Sequence, residues 1–144
     1  MLQQKIIEST AKPHIDQHIK QWLLQRQTLL VLYSQVCVAN KKAPEKLRAF
    51  CQTLMDYLST GHFQMFEKIA EVDLKRNPQS KGLDSDLLSK ISVTTDIALD
   101  FNDKYTEIDN LEELLLDLSH LGENLAHRMD WEDKLINSYI QAAC

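Results

Sequence analysis

From Leu111 to Tyr139 the chain keeps one helical stripe without a break. Leu111, Leu115, Leu118, Gly122, Leu125, Met129, Glu132, Ile136 and Tyr139 follow alternating steps of four and three, the spacing that puts every one of them on the same side of an α-helix. A segment of that length has a single apolar side and is stable only if other helices cover it. The rest of the chain repeats the pattern. Ile15, Ile19, Trp22, Arg26, Leu29, Tyr33 and Val36 form a first long seam. Leu47, Cys51, Leu54, Leu58, Gly61, Met65 and Ile69 form a second. A third, less regular one uses Leu87, Ile91, Ala98, Phe101 and Tyr105, and starts near Asp84 or Ser85; Val93, Thr94 and Thr95 are poor helix formers in its middle.

Chain-breakers fall between these seams. The 144 residues contain three glycines and three prolines, too few for the turns of a sheet. "ANKKAP" separates the first two helices, with Pro44 suited to a first helical turn, and "KRNPQSKG" ends the second. Asp109 or Asn110 is the expected N-cap of the last helix. A short amphipathic segment, Leu2 to Thr10, precedes Pro13. The expected fold is all-α: an antiparallel up-and-down four-helix bundle with a short extra N-terminal helix, forming one domain over residues 1–144.

Several function classes are disfavoured at once. Apolar runs such as "LLVLY" are too short to span a membrane, and the N-terminus has no signal-peptide core. Cys37, Cys51 and Cys144 are widely spaced and odd in number, which suits reduced thiols in a cytoplasm. Sixteen basic against twenty-one acidic residues give a net charge of −5, without a Lys/Arg cluster interleaved with aromatics. Direct nucleic-acid binding is therefore not expected, and basic protein partners are.

No residue set signals catalysis. His14 and His18 in "HIDQH" are one turn apart, but Ile15 stands where a zinc protease has glutamate. Glu123 and His127 are four apart rather than the three of a carboxylate-bridged metal bundle. No metal or other cofactor is expected. Gly61-His62 lies inside the second seam, and Gly61 on the apolar stripe points to close packing, with His62 hydrogen-bonded beside it. Histidine phosphotransfer through His62 or His120, or a metal-binding bundle, remains the alternative function. Arg26 and Glu132 interrupt the seams of the first and last helices, so the expected buried polar network is Arg26, Glu132 and His62. Opposite the second stripe, Asp56, Ser59, Thr60, Phe63 and Glu67 share an outward side, where an aromatic among polar and acidic residues suits a partner surface.

Three segments carry a family resemblance. "WLLQRQTLLV" (22–31), "FCQTLMDYLSTGHF" (50–63) and "LSHLGENLAHRMDWEDKLI" (118–136) closely resemble, in the same order, the regulator-of-sigma-D family of bacterial anti-sigma factors. The resemblance implies a non-enzymatic helical protein that binds the primary sigma factor of RNA polymerase. The implied target is sigma's C-terminal domain, a basic helix-turn-helix module that reads promoter DNA. On the matched motifs it further implies Asp56 as the ion-pairing residue, Phe63 as an apolar contact, and Trp22 as either a contact or a core residue.

Overall fold

The two links between helices in the first half of the chain are built differently, and each follows from its residues. The computed structural model describes residues 13–66, 68–69, 71, 75, 81–107 and 110–143. Helix α1 (Pro13–Ala39) ends where Asn40 takes a left-handed φ of 50°, a conformation asparagine tolerates better than most residues. A short 3₁₀ turn, Asn40–Lys42, follows, and Pro44 then opens α2 (Pro44–Thr60) at its first turn. There the missing N–H costs nothing.

At Gly61 the helix does not stop. Its turn widens to π-helical over Gly61–Phe66, one extra residue being accommodated in the coil. Helix α3 (Lys81–Lys104) begins three residues before the expected Asp84. Helix α4 (Leu114–Ala143) begins three residues after the expected Leu111. Asn110 acts there through its side chain: its Oδ1 accepts the Glu112 N–H at 3.1 Å, closing a turn ahead of the helix. The late start is accompanied by a shift in the seam. Leu114 is fully buried, and Leu115, expected inside, is 52% exposed. Asp109, the other expected cap, and the segment Leu2–Thr10 lie outside the described residues.

Among the described residues every regular element is helical. The closest packing is between α1 and α2 and between α3 and α4. Contacts run in opposite directions along neighbours. Trp22 meets Tyr57 while Tyr33 meets Phe50, and Asp16 meets Tyr139 while Tyr33 reaches Leu118. Aromatic rings fill the centre. Trp22 stacks on Tyr57 at 5.2 Å and meets Phe66 edge-on at 5.5 Å, and Phe50 sits edge-on to Phe101 at 6.0 Å. These arrangements favour the ring quadrupoles and bury large areas.

Two glycines admit neighbours that a side chain would exclude. A Cβ on Gly61 would lie 2.8 Å from Phe66 Cζ and 3.2 Å from Trp22 Cζ2. A Cβ on Gly122 would lie 2.1 Å from the Tyr33 hydroxyl, which donates to the Leu118 carbonyl at 2.7 Å. Among the described residues, no helix is long and apolar enough to cross a membrane.

Candidate functional site: a braced helix face

A charged layer crosses the core beneath α2. Its centre is Glu132, fully buried on α4. Arg128, one turn earlier and also fully buried, donates through Nε to Glu132 Oε2 at 2.8 Å. Arg26 from α1 donates through Nη2 to Glu132 Oε1 at 3.1 Å and through Nη1 to Asp133 at 2.7 Å. The Tyr57 hydroxyl from α2 donates to Glu132 Oε1 and accepts from Arg26 Nε at 3.1 Å. From α3, the hydroxyls of Thr95 and Thr94 accept Arg128 Nη1 at 2.6 and 3.3 Å. All four helices therefore meet in one hydrogen-bonded cluster.

Burial pushes the Glu132 carboxyl up, against the pull of Arg128, Tyr57 and Arg26. Burial and the Glu132 charge push the Tyr57 phenol up, so it keeps the proton it donates. Burial works against the Arg26 cation, but Tyr57, Asp133 and Glu132 outweigh it and hold the group protonated. A cluster of this kind sets register more surely than it adds stability.

The threonines explain the poor helix-forming stretch. Thr94 and Thr95 return their own protons to the Ile91 carbonyl at 2.6 and 3.2 Å, leaving lone pairs for the guanidinium. The sequence reading missed Arg128, Tyr57, Thr94 and Thr95. Two signals were available: Arg128 four residues before Glu132 on one helix, and hydroxyl side chains where propensity argued against them.

His62 is a correction. Expected in the buried network, it is instead exposed, with its ring edge-on to Phe63 at 4.7 Å. It stands one position round the coil from the buried stripe of Leu58, Gly61, Met65 and Ile69, on the side open to solvent. It borders a cavity of about 360 Å³ shared with Phe66, Leu88, Ile91, Ser92, Thr95 and Asp96.

For Trp22, left open between a contact and a core residue, the structure shows a core position at 1% exposure. Its indole N–H donates to the Tyr57 carbonyl at 3.3 Å, so it bears on α2 from beneath.

On the outer side of α2, Asp56 and Ser59 are exposed, Thr60 is half-buried and Phe63 is 75% exposed. Glu67, assigned to the same side, lies outside the described residues. Asp56 Oδ1 accepts from Gln52 at 3.2 Å, and the Thr60 hydroxyl donates to the Asp56 carbonyl at 2.9 Å. Tyr57, the residue after Asp56, is held by Trp22, Arg26 and Glu132. The backbone that presents Asp56 is thereby anchored to α1 and α4. Among the described residues no group of three or more His, Cys, Asp or Glu side chains is placed to hold a metal ion.

The described residues thus form an all-helical protein with a layer of buried charge behind α2. The chain belongs to the family described as regulator of the RNA polymerase sigma(70) subunit, Rsd/AlgQ, which matches residues 1–140. It is 36% identical over 129 residues to a regulator of sigma D from Pectobacterium carotovorum subsp. carotovorum, covering 82% of this chain and 84% of the relative. It is 36% identical over 131 residues to the regulator of sigma D of Yersinia pseudotuberculosis serotype O:1b, covering 82% and 76% of the two chains. The Yersinia enterocolitica relative is 33% identical over 129 residues, with 82% and 77% covered. The family is one of regulators of transcription.

Proposed function

We propose that this chain acts as an anti-sigma factor in the cytoplasm, holding the primary sigma factor by its C-terminal promoter-reading domain. Membership of a sigma(70)-regulator family supports a sigma partner. The observation that supports this location is the outer side of α2, where exposed Asp56 and Phe63 stand on an anchored backbone. A domain that reads DNA carries basic side chains for phosphate. A carboxylate presented at such a residue competes with DNA by charge complementarity, and an apolar ring beside it excludes water from the pair. Occupied in this way, the sigma domain is withheld from core polymerase and promoter.

The test is Asp56→Ala, measured by calorimetric titration against the isolated C-terminal sigma domain. Asp56 is exposed, so the thermal midpoint should stay within the range of surface changes, about 0.5 kcal/mol. Loss of a carboxylate desolvated in the complex should cost about 2–5 kcal/mol of binding, a factor of roughly thirty or more. Wild-type affinity in the variant would remove Asp56 from the interface. Affinity that stays flat as salt rises would remove electrostatics from the reading.

A further inference from the structure

The outer side of α1 carries almost no charge. Between Gln21 and Asn40 there is no Asp, Glu, Lys or His, and the one Arg, Arg26, is turned inward to Glu132. The outer sides of the other helices differ: exposed Arg48 and Asp56 on α2, Asp86 and Lys90 on α3, Glu123 and Lys134 on α4. In place of charge, α1 exposes Leu23 (37%), Leu24 (64%), Leu30 (43%), Val31 (52%) and Val38 (88%). A surface helix of a bundle normally turns polar residues outward. These five sit seven apart in two rows, Leu24-Val31-Val38 and Leu23-Leu30, with neutral Gln27 and Ser34 between them. That is the spacing of a helix meant to lie along another helix.

We propose that this side of α1 is the interface through which two copies of the chain associate. A basic sigma domain has no carboxylate to meet here, so the side is not suited to that partner. A two-fold self-contact brings each residue against the same patch of the other copy. Charges on the patch would repel their own images; between Leu23 and Val38 no exposed side chain is charged, and the exposed Lys20 and Lys46 stand only at its ends. In an antiparallel pairing about an axis at Val31, Leu24 of one copy meets Val38 of the other. Beside Val38 lies a shallow depression of about 400 Å³ bordered by Ser34, Gln35, Ala39 and Lys46, which receives that leucine. The five side chains leave on the order of 500 Å² of apolar surface open, near the top of the range for a monomer's largest patch. Two such patches together reach roughly the 1,000 Å² that a specific interface needs. The resulting dimer is of modest affinity and leaves the Asp56 side of α2 available.

Sedimentation velocity of the full chain, from about 5 to 500 µM, reads the association by mass action. A monomer–dimer equilibrium is expected for the wild type. Val31→Glu and Leu24→Glu should each weaken it at least ten-fold while keeping the helical circular dichroism and melting curve, since both residues are exposed. A mixture of Val31→Glu and Val31→Lys should recover a heterodimer. Three results overturn the proposal: a wild type that stays monomeric throughout, a dimer that both variants leave intact, or a Val31→Glu variant that loses sigma-domain binding. Sigma binding measured in the same samples separates a failure here from a failure of the anti-sigma reading.

Discussion

Replacing Glu132 with leucine tests what the charged layer does for the fold. The change removes the acceptor of three donors: Arg128 Nε, Arg26 Nη2 and the Tyr57 hydroxyl. Arg26 is the least affected. Its side chain is 14% exposed and keeps Asp133 at 2.7 Å. Arg128 is the most affected, because its side chain is 1% exposed and retains the threonine hydroxyls and the face of Phe66 at 5.5 Å, with no anion. A buried charge left without its partner costs about 3–5 kcal/mol, roughly a fifth or more of the stability of an ordinary domain. For a chain of this size that corresponds to a midpoint lowered by roughly 10–15 °C. The double variant Arg128→Met/Glu132→Leu removes the stranded charge together with its partner. It should recover at least half of the loss, since apolar residues replace buried ion pairs at little cost. The assay is thermal and urea unfolding followed by circular dichroism, with the urea m-value unchanged to show that the same surface unfolds. A Glu132→Leu protein melting within about 2 °C of wild type would refute the reasoning. So would a double variant less stable than the single one, which would mean that Arg128 contributes through packing alone.

Three further outcomes follow from the same contacts. Gly61→Leu should destabilise by about 1–3 kcal/mol in urea unfolding, because its side chain enters the space held by Phe66 and Trp22. Gly122→Ala should cost a similar 1–3 kcal/mol by displacing the Tyr33 hydroxyl from the Leu118 carbonyl, and adding Tyr33→Phe should recover part of it. Burial works to raise the Asp117 carboxyl, but Lys104 at 2.8 Å and the Tyr105 hydroxyl at 2.5 Å hold it below its ordinary value of 3.8. A depressed acid contributes stability above its unfolded pKa and loses it as pH falls through the folded one. Asp117→Asn should therefore be less stable than wild type at neutral pH, with the gap closing as pH falls below 3.8; a gap of constant size would show that the charge of Asp117 is not involved.

The helices were legible in the sequence because a helix leaves a local record. Steps of three and four, Pro44 at a first turn and a near absence of glycine each follow from the backbone geometry of a short stretch. Nearly every described seam position proved buried, from Ile19 through Leu54 to Tyr139. Leu115 failed because the pattern carries no marker of where a helix begins. Leu114 and Leu115 are both leucine, and the turn closed by Asn110 accompanies the shift that leaves Leu114 inside. The outward placing of Asp56 and Phe63 was equally local, since it needed only the helical period of α2.

Tertiary structure decided everything that depends on two helices meeting. The pattern marked Arg26 and Glu132 as charges on apolar seams, but periodicity records only the side a residue faces and nothing of its partner. That Arg128 completes the layer, that Thr94 and Thr95 serve as its acceptors, and that Tyr57 bridges Arg26 and Glu132 all depend on rotations about separate helix axes. His62 shows the same limit within one helix. Periodicity places it one position round the coil from the buried stripe, and the packing around that stripe decided that it faces solvent. Sequence by itself thus determined which residues coil and which sides of the coils are apolar, because those follow from neighbours a few positions apart. Which buried charges meet one another, and which stretch of α2 is anchored through Tyr57, was decided by packing between residues as far apart as Arg26 and Glu132.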